Sequence, residues 1–202
     1  MKTDFRADRR DLYAPTGKDF SAVEVPAMLF VMADGRGDPN TSEDYARAVE
    51  SLYAVSYAAK FASKRELDRD YVVGPLEGLW DAERREAFLD RSKGEWSWTM
   101  MIRQPEWITP EMFERAVAKA VKKQPAAEKV RLETYDEGLS VQILHVGGYD
   151  DEGPTIGRLH HEFLPAHGYV ENGPHHEIYL SDPRRVEAAK LKTILRQPVR
   201  RA

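Results

Sequence analysis

The sequence predicts an α+β fold, in which a strand-helix-strand-strand unit occurs twice and forms one pseudo-two-fold domain with a central aromatic cleft where the halves meet. Three observations lead there. Apolar residues switch between strand and helix spacing along the chain. Ile102-Arg103-Gln104-Pro105 recurs as Leu195-Arg196-Gln197-Pro198, and Met28–Pro39 (MLFVMADGRGDP) lines up with Val141–Pro154 (VQILHVGGYDDEGP) in the same order. One copy alone would have a thin core, whereas two copies pairing through their sheets would bury a common face. The boundaries read as an N-terminal arm over 1–19 and one domain over 20–202, its halves at about 20–108 and 109–202.

Residues 1–19 are polar and aperiodic and carry Pro15 and Gly17, an arm that drapes or frays and has no assigned function. Phe20–Ala33 (FSAVEVPAMLFVMA) is apolar on both parities after Pro26 and reads as a buried strand. Asp34 to Pro39 stops it. Ser42 can cap a helix, Glu43 and Asp44 sit where the helix dipole favours anions, and Tyr45, Ala48, Val49, Leu52, Tyr53, Ser56 and Ala59 repeat at helical spacing to about Leu67. Tyr71–Trp80 and Trp96–Arg103 read as a hairpin with a long connection over Asp81–Lys93. Thr109-Pro110 opens a second helix with Phe113, Ala116, Val117, Ala120 and Val121 on one face, ended by Pro125. Val130–Tyr135 and Leu139–Gly147 are strands around an Asp136-Glu137-Gly138 turn. A third helix spans about Pro154–Ala166, and His175–Leu180 and Leu191–Leu195 close the chain as strands.

Composition excludes whole classes of chemistry. With no cysteine among 202 residues there is no disulfide framework, thiolate zinc site, iron–sulfur cluster or cysteine nucleophile. The best apolar run, Ala27–Met32, falls far short of the roughly 20 residues that cross a bilayer. No apolar segment follows the charged N-terminus as a secretory signal would, which points to the cytoplasm. Lys and Arg number 30 against 34 Asp and Glu, a balance that argues against a nucleic-acid partner.

Candidate chemistry gathers on a few side chains. Trp80, Trp96 and Trp98 lie on the two strands of the first half, Trp96 and Trp98 on one face by parity. They are either core or the walls of a site for an aromatic or cationic ligand. Trp107 rims the same site or covers a helix end. In His175–Leu180 (HHEIYL), Glu177 and Tyr179 share a face, with His176, Ile178 and Leu180 on the other. If the apolar parity faces the helix, Glu177 lines the opposite side, as a solvated carboxylate, a counter-charge or a general acid/base. Glu77 carries the same ambiguity, and Tyr57 on the long helix either reaches a ligand or packs. The triplets His160-His161-Glu162 and His175-His176-Glu177 fail as metal sites because adjacent histidines diverge on either element. No phosphate-binding glycine fingerprint and no GxSxG elbow occurs, and no cofactor is expected.

The segments PLEGLW (Pro75–Trp80), WSWTMMIRQP (Trp96–Pro105), HHEIYLSDPRR (His175–Arg185) and LKTILRQPV (Leu191–Val199) resemble the GyrI-like small-molecule-binding family, related to the effector-binding domains of multidrug-sensing transcription regulators. The likeness covers roughly Phe20–Val199. It implies the duplicated fold and a pocket for bulky, hydrophobic, often cationic aromatic molecules around a central acid. Some stand-alone members are similar to enzymes that hydrolyse the cyclopropane ring of DNA-alkylating natural products of the yatakemycin type. By that resemblance Glu177 is the catalytic or charge-pairing acid, Tyr179 its neighbour, Trp80 and Trp98 the walls, and Tyr57 a weaker match. A non-catalytic drug-sequestering or effector-binding module, or a gyrase-interacting protein, is the alternative. With only residues 1–19 ahead of the domain, no helix-turn-helix unit is expected there.

Overall fold

The computed structural model describes residues 2–82 and 92–202, so most of the expected 81–93 connection lies outside the described residues. In chain order the elements are α1 (Phe5–Asp8), α2 (Arg10–Tyr13), β1 (Ser21–Val25), β2 (Met28–Arg36), α3 (Glu43–Leu67), β3 (Leu76–Ala82), β4 (Trp96–Arg103) and α4 (Pro110–Ala120). There follow β5 (Arg131–Tyr135), β6 (Gly138–Val146), α5 (Gly153–Arg158), a π turn (Leu159–Phe163), α6 (Leu164–Ala166), β7 (Tyr169–Glu171), β8 (His175–Tyr179) and β9 (Lys192–Arg201). The class is α+β with antiparallel strands. No described helix is long and apolar enough to cross a membrane.

The chain forms two compact units, Met1–Asp8 with Met28–Tyr135, and Arg9–Ala27 with Asp136–Ala202. In the first, the strands run β3-β4-β2-β5. In the second they run β1-β6-β9-β8, with β7 on the far end of β9. Four strands in the same relative arrangement therefore appear twice, with α3 between β2 and β3 and the α5–π–α6 segment between β6 and β8. The Arg-Gln-Pro echo marks this equivalence, because Arg103 ends β4 opposite Phe30 of β2 and Arg196 sits in β9 opposite Gln142 of β6.

Four expectations need correction. Phe20–Ala33 is two strands, because Pro26 has no N–H to continue a ladder. β1 pairs with β6 and β2 with β4 and β5, in different units. Val130–Tyr135 and Leu139–Gly147 do not form a hairpin, since β5 pairs with β2. Gly138 opens β6 at φ 70°, a left-handed conformation that glycine adopts without strain. The third helix is broken by a π turn, and the first hairpin strand starts at Leu76 rather than Tyr71.

The N-terminal arm is structural rather than frayed. In the first unit Phe5 packs against Tyr71 and lies under the Arg103 guanidinium, 4.4 Å from the ring centroid. In the second, Arg196, fully buried, donates from Nη2 to Leu12 O at 2.7 Å, from Nε to Gln142 Oε1 at 3.0 Å and from Nη1 to Glu137 Oε2 at 3.2 Å. Gln142 also donates to Asp11 O at 2.7 Å, and His176 Nδ1 lies 3.0 Å from Glu137 Oε1. Burial would raise the Glu137 carboxyl pKa, but the charges of His176 and Arg196 outweigh it and hold it below the usual range.

The glutamines of the echo point the other way. Gln104 accepts from the Tyr71 hydroxyl at 3.0 Å and donates to Ser56 Oγ on α3 at 3.0 Å. Gln197 donates to Gly173 O at 3.0 Å. Thus Arg and Gln, adjacent on a strand, hold opposite faces of each unit's sheet. Glu137→Gln removes the anion from a buried cluster, so chemical denaturation is expected to show a loss of about 3–5 kcal/mol. A loss below about 1 kcal/mol would mean the cluster is not an ion pair in solution.

Candidate functional site

In the first unit the strand register sets Trp80 directly across from Trp98. Both lie on the parity that faces α3, whose first turn places Tyr45 over them. Tyr45 stacks on Trp80 at 6.2 Å between centroids and meets Trp98 edge-on at 5.2 Å, and Trp96 meets Trp80 at 5.7 Å. Such offset and edge-on pairs suit ring quadrupoles. Gly35, opposite Trp98, makes room for this arrangement: a Cβ there would lie 2.1 Å from Trp98 Cη2. Gly78 does the same beside Trp80, where a Cβ would lie 3.0 Å from the indole nitrogen. The Trp98 N–H is buried and makes no hydrogen bond among the described residues.

The other first-unit candidates lie apart from this cluster. Glu77 is fully buried on the opposite face of β3, across from Met101. Tyr57 is 47% exposed on α3 and stacks between Tyr53 and Phe61 at 6.5 and 6.3 Å. Trp107 donates to Ser63 Oγ at 2.9 Å beneath the Arg69 guanidinium, anchoring the end of α3.

In the second unit the helix-facing side of the sheet is not the His176–Ile178 parity. Val141, Val199, Leu159 and Leu164 form a core cluster between sheet and helix. The register puts Glu177 opposite Leu195 and Tyr179 opposite Thr193, on the same parity as Val199. Glu177 and Tyr179 thus face the helical side, while His176 and Arg196 lie on the other face under α2. The reason is Arg196, which needs its carbonyl and carboxylate partners and finds them only on that side.

Around Glu177 the second unit gathers several polar groups. The Tyr179 hydroxyl donates to Glu177 Oε2 at 2.8 Å. His175 Nε2 lies 3.8 Å from Glu177 Oε1. Tyr149 meets Tyr179 edge-on at 5.6 Å. Glu152, at the start of α5, is 4% exposed and its Oε1 makes no hydrogen bond among the described residues. Burial, then the charge of Glu177, pushes the Glu152 carboxyl up to about 9, so it carries its proton at neutral pH. Burial and the charges of Glu152, Glu177 and Asp182 push the Tyr149 hydroxyl up to about 12. Burial, with the nearby His160 and His176, pushes His175 down to about 3, so its imidazole is neutral.

Glu152, Tyr149 and Tyr45 were not singled out from the sequence. Glu152 ends the acidic run Asp150-Asp151-Glu152, which reads as solvated surface, and only the fold buries its third member. The histidine triplets are used in pairings: His160 Nδ1 lies 2.9 Å from Glu171 Oε1, and His176 pairs with Glu137.

Glu152 has a measurable consequence for stability. The folded protein holds a proton up to about pH 9 that the unfolded chain releases above 4.5. Its contribution is therefore fully present below pH 4.5 and is lost as pH rises toward 9. Denaturation midpoints of the wild type should decline across that window, and Glu152→Gln should flatten the decline. Parallel curves would refute the raised pKa.

Comparison with known proteins follows this geometry. No functionally curated protein matches the chain. An uncharacterised conserved protein from Listeria innocua is 42% identical, with 98% of this chain and 100% of that one covered and a TM-score of 0.89. A hydrolase from Listeria innocua is 40% identical, with 99% and 100% covered and a TM-score of 0.87. The C-terminal domain of EcmrR, at 10% identity, 91% and 98% coverage and a TM-score of 0.58, shares the fold. The model of the GyrI-like small molecule binding domain matches residues 18–200, and the chain belongs to that family.

Proposed function

We propose that this protein binds bulky, hydrophobic, often cationic aromatic small molecules in the cytoplasm and hydrolyses those that carry a strained cyclopropane. The observation that carries this reading is the acid pair of the second unit. Glu152 is a buried proton donor beside Glu177, whose carboxylate accepts the Tyr179 hydroxyl at 2.8 Å. A buried carboxyl that keeps its proton at neutral pH is suited to act as a general acid. The likeness to a hydrolase at 40% identity supports the same direction.

In this mechanism water adds across the ring. Its oxygen bonds to a ring carbon, the strained carbon–carbon bond breaks, and the electron pair moves into a conjugated carbonyl. The carbonyl oxygen takes the Glu152 proton while Glu177 accepts the proton that water gives up. Transfer of that proton from Glu177 to Glu152 restores the starting state. Burial strengthens both interactions by excluding bulk solvent. Tyr179 orients Glu177.

Incubation with a cyclopropane-bearing alkylator, followed by mass spectrometry, should yield the hydrated, ring-opened product. Glu177→Gln and Glu152→Gln are each expected to slow it by about 10²-fold or more, with ligand-induced tryptophan quenching changed only a few-fold. Quenching without product from the wild type would overturn hydrolysis. It would leave a binding module in which Glu177→Gln weakens cationic ligands and spares neutral ones.

A further inference from the structure

We propose that His145 Nε2, Thr193 Oγ1 and Glu152 Oε1 hold one internal water molecule in the second unit, and that this water fixes the inner oxygen of the Glu152 carboxyl, so that the acid proton sits on Oε2. His145 and Thr193 are thereby positioning residues for Glu152. This rests on the reading of Glu152 as the proton donor.

Strand register and a turn bring the three residues together. His145 of β6 lies directly across from Thr193 of β9, and Thr193 lies directly across from Tyr179 of β8. By parity with Val141 and Val199, this row stands on the helical side of the sheet. The turn that follows β6 returns Glu152 to the row, where the Thr193 hydroxyl is close enough to weigh on the Glu152 proton. At Gly147 the backbone takes φ 152°, and a Cβ there would lie 2.9 Å from His145 Nε2. Glycine leaves that nitrogen its room.

His145, Thr193 and Glu152 are 9%, 0% and 4% exposed, and the three named atoms are buried and make no hydrogen bond among the described residues. Two neighbours are engaged elsewhere: the Tyr179 hydroxyl donates to Glu177 Oε2 at 2.8 Å, and Asp151 Oδ2 accepts from the Gly148 N–H at 3.2 Å. Buried polar atoms seldom stay unpaired, and an internal water typically meets about three of them. Here the donors and acceptors match. His145 Nε2–H and the Thr193 hydroxyl donate to the water, and the water donates to Glu152 Oε1. Burial, the charge of Glu177 and that of Asp150 keep the Glu152 proton in place, and the Thr193 hydroxyl works against them. With Oε1 accepting a hydrogen bond, that proton belongs on Oε2.

Two measurements on the full chain test this without substrate. A high-resolution crystal structure should show a water about 2.7–3.2 Å from each of the three atoms. No density there, or a direct bond between two of the side chains in its place, would overturn the proposal. In infrared spectra at neutral pH, the acid C=O stretch of Glu152 is assigned by its loss in Glu152→Gln. Thr193→Val should move that band to higher frequency, because a carbonyl oxygen that loses a donor has a stiffer C=O bond, and Thr193→Ser, which keeps the hydroxyl, should leave it at the wild-type position. An unmoved band in the valine variant, or the same shift in the serine variant, would also overturn the proposal. If the valine variant does not fold, His145→Phe takes its place, with the same shift expected. A wild type without the band would overturn the proposal together with the acid role of Glu152. Absence of ring-opened product from the wild type would refute hydrolysis alone, and the density and the band would still judge the water.

Discussion

Both faces of the central strands are sealed. Met100, Met101 and Ile102 follow one another along β4 and are all fully buried, as are Ile194, Leu195 and Arg196 along β9. A strand buried on both sides cannot send its polar residues to water, so each must find a partner inside or change its charge state. Arg196 meets this demand with Glu137, Gln142 and the Leu12 carbonyl, which ties α2 to the sheet of the second unit. Gln104 meets it with Tyr71 and Ser56, which ties β4 to α3 in the first.

The same constraint produces the chemistry around Glu177. Glu137 is as deeply buried as Glu152, yet it stays ionised because a guanidinium and an imidazole face it. Glu152 has another carboxylate for a neighbour, and it keeps its proton. Two buried glutamates of one unit thus differ in charge because of what stands beside them. One holds the fold and the other is available as an acid.

Space is allocated by the same logic in the first unit. A pair of indoles facing each other across two strands and roofed by a tyrosine needs room that a Cβ would take. Gly35 and Gly78 stand where that room is required, each opposite or beside a tryptophan ring. Gly35 and Gly78 are thus part of the aromatic cluster, although neither carries a side chain.

The sequence by itself determined the class, the long capped helix, the hairpin of Trp80 and Trp98, the Arg-Gln-Pro echo and the shared face of Glu177 and Tyr179. These rest on local spacing, capping and strand parity, which depend on neighbours along the chain. Tertiary structure alone decided which unit β1 and β5 joined, because a strand's partner is chosen by edges far away in sequence. It also decided which face of β8 met the helix, since that turned on where Arg196 found its partners. Glu152 became a proton donor for the same kind of reason: an acidic run reads as surface until the fold buries one member beside another carboxylate. Trp107 and Glu77, equal candidates with Trp80 by composition, were separated from it by the hydrogen bond that holds Trp107 to Ser63 of α3 and by the strand parity of Glu77.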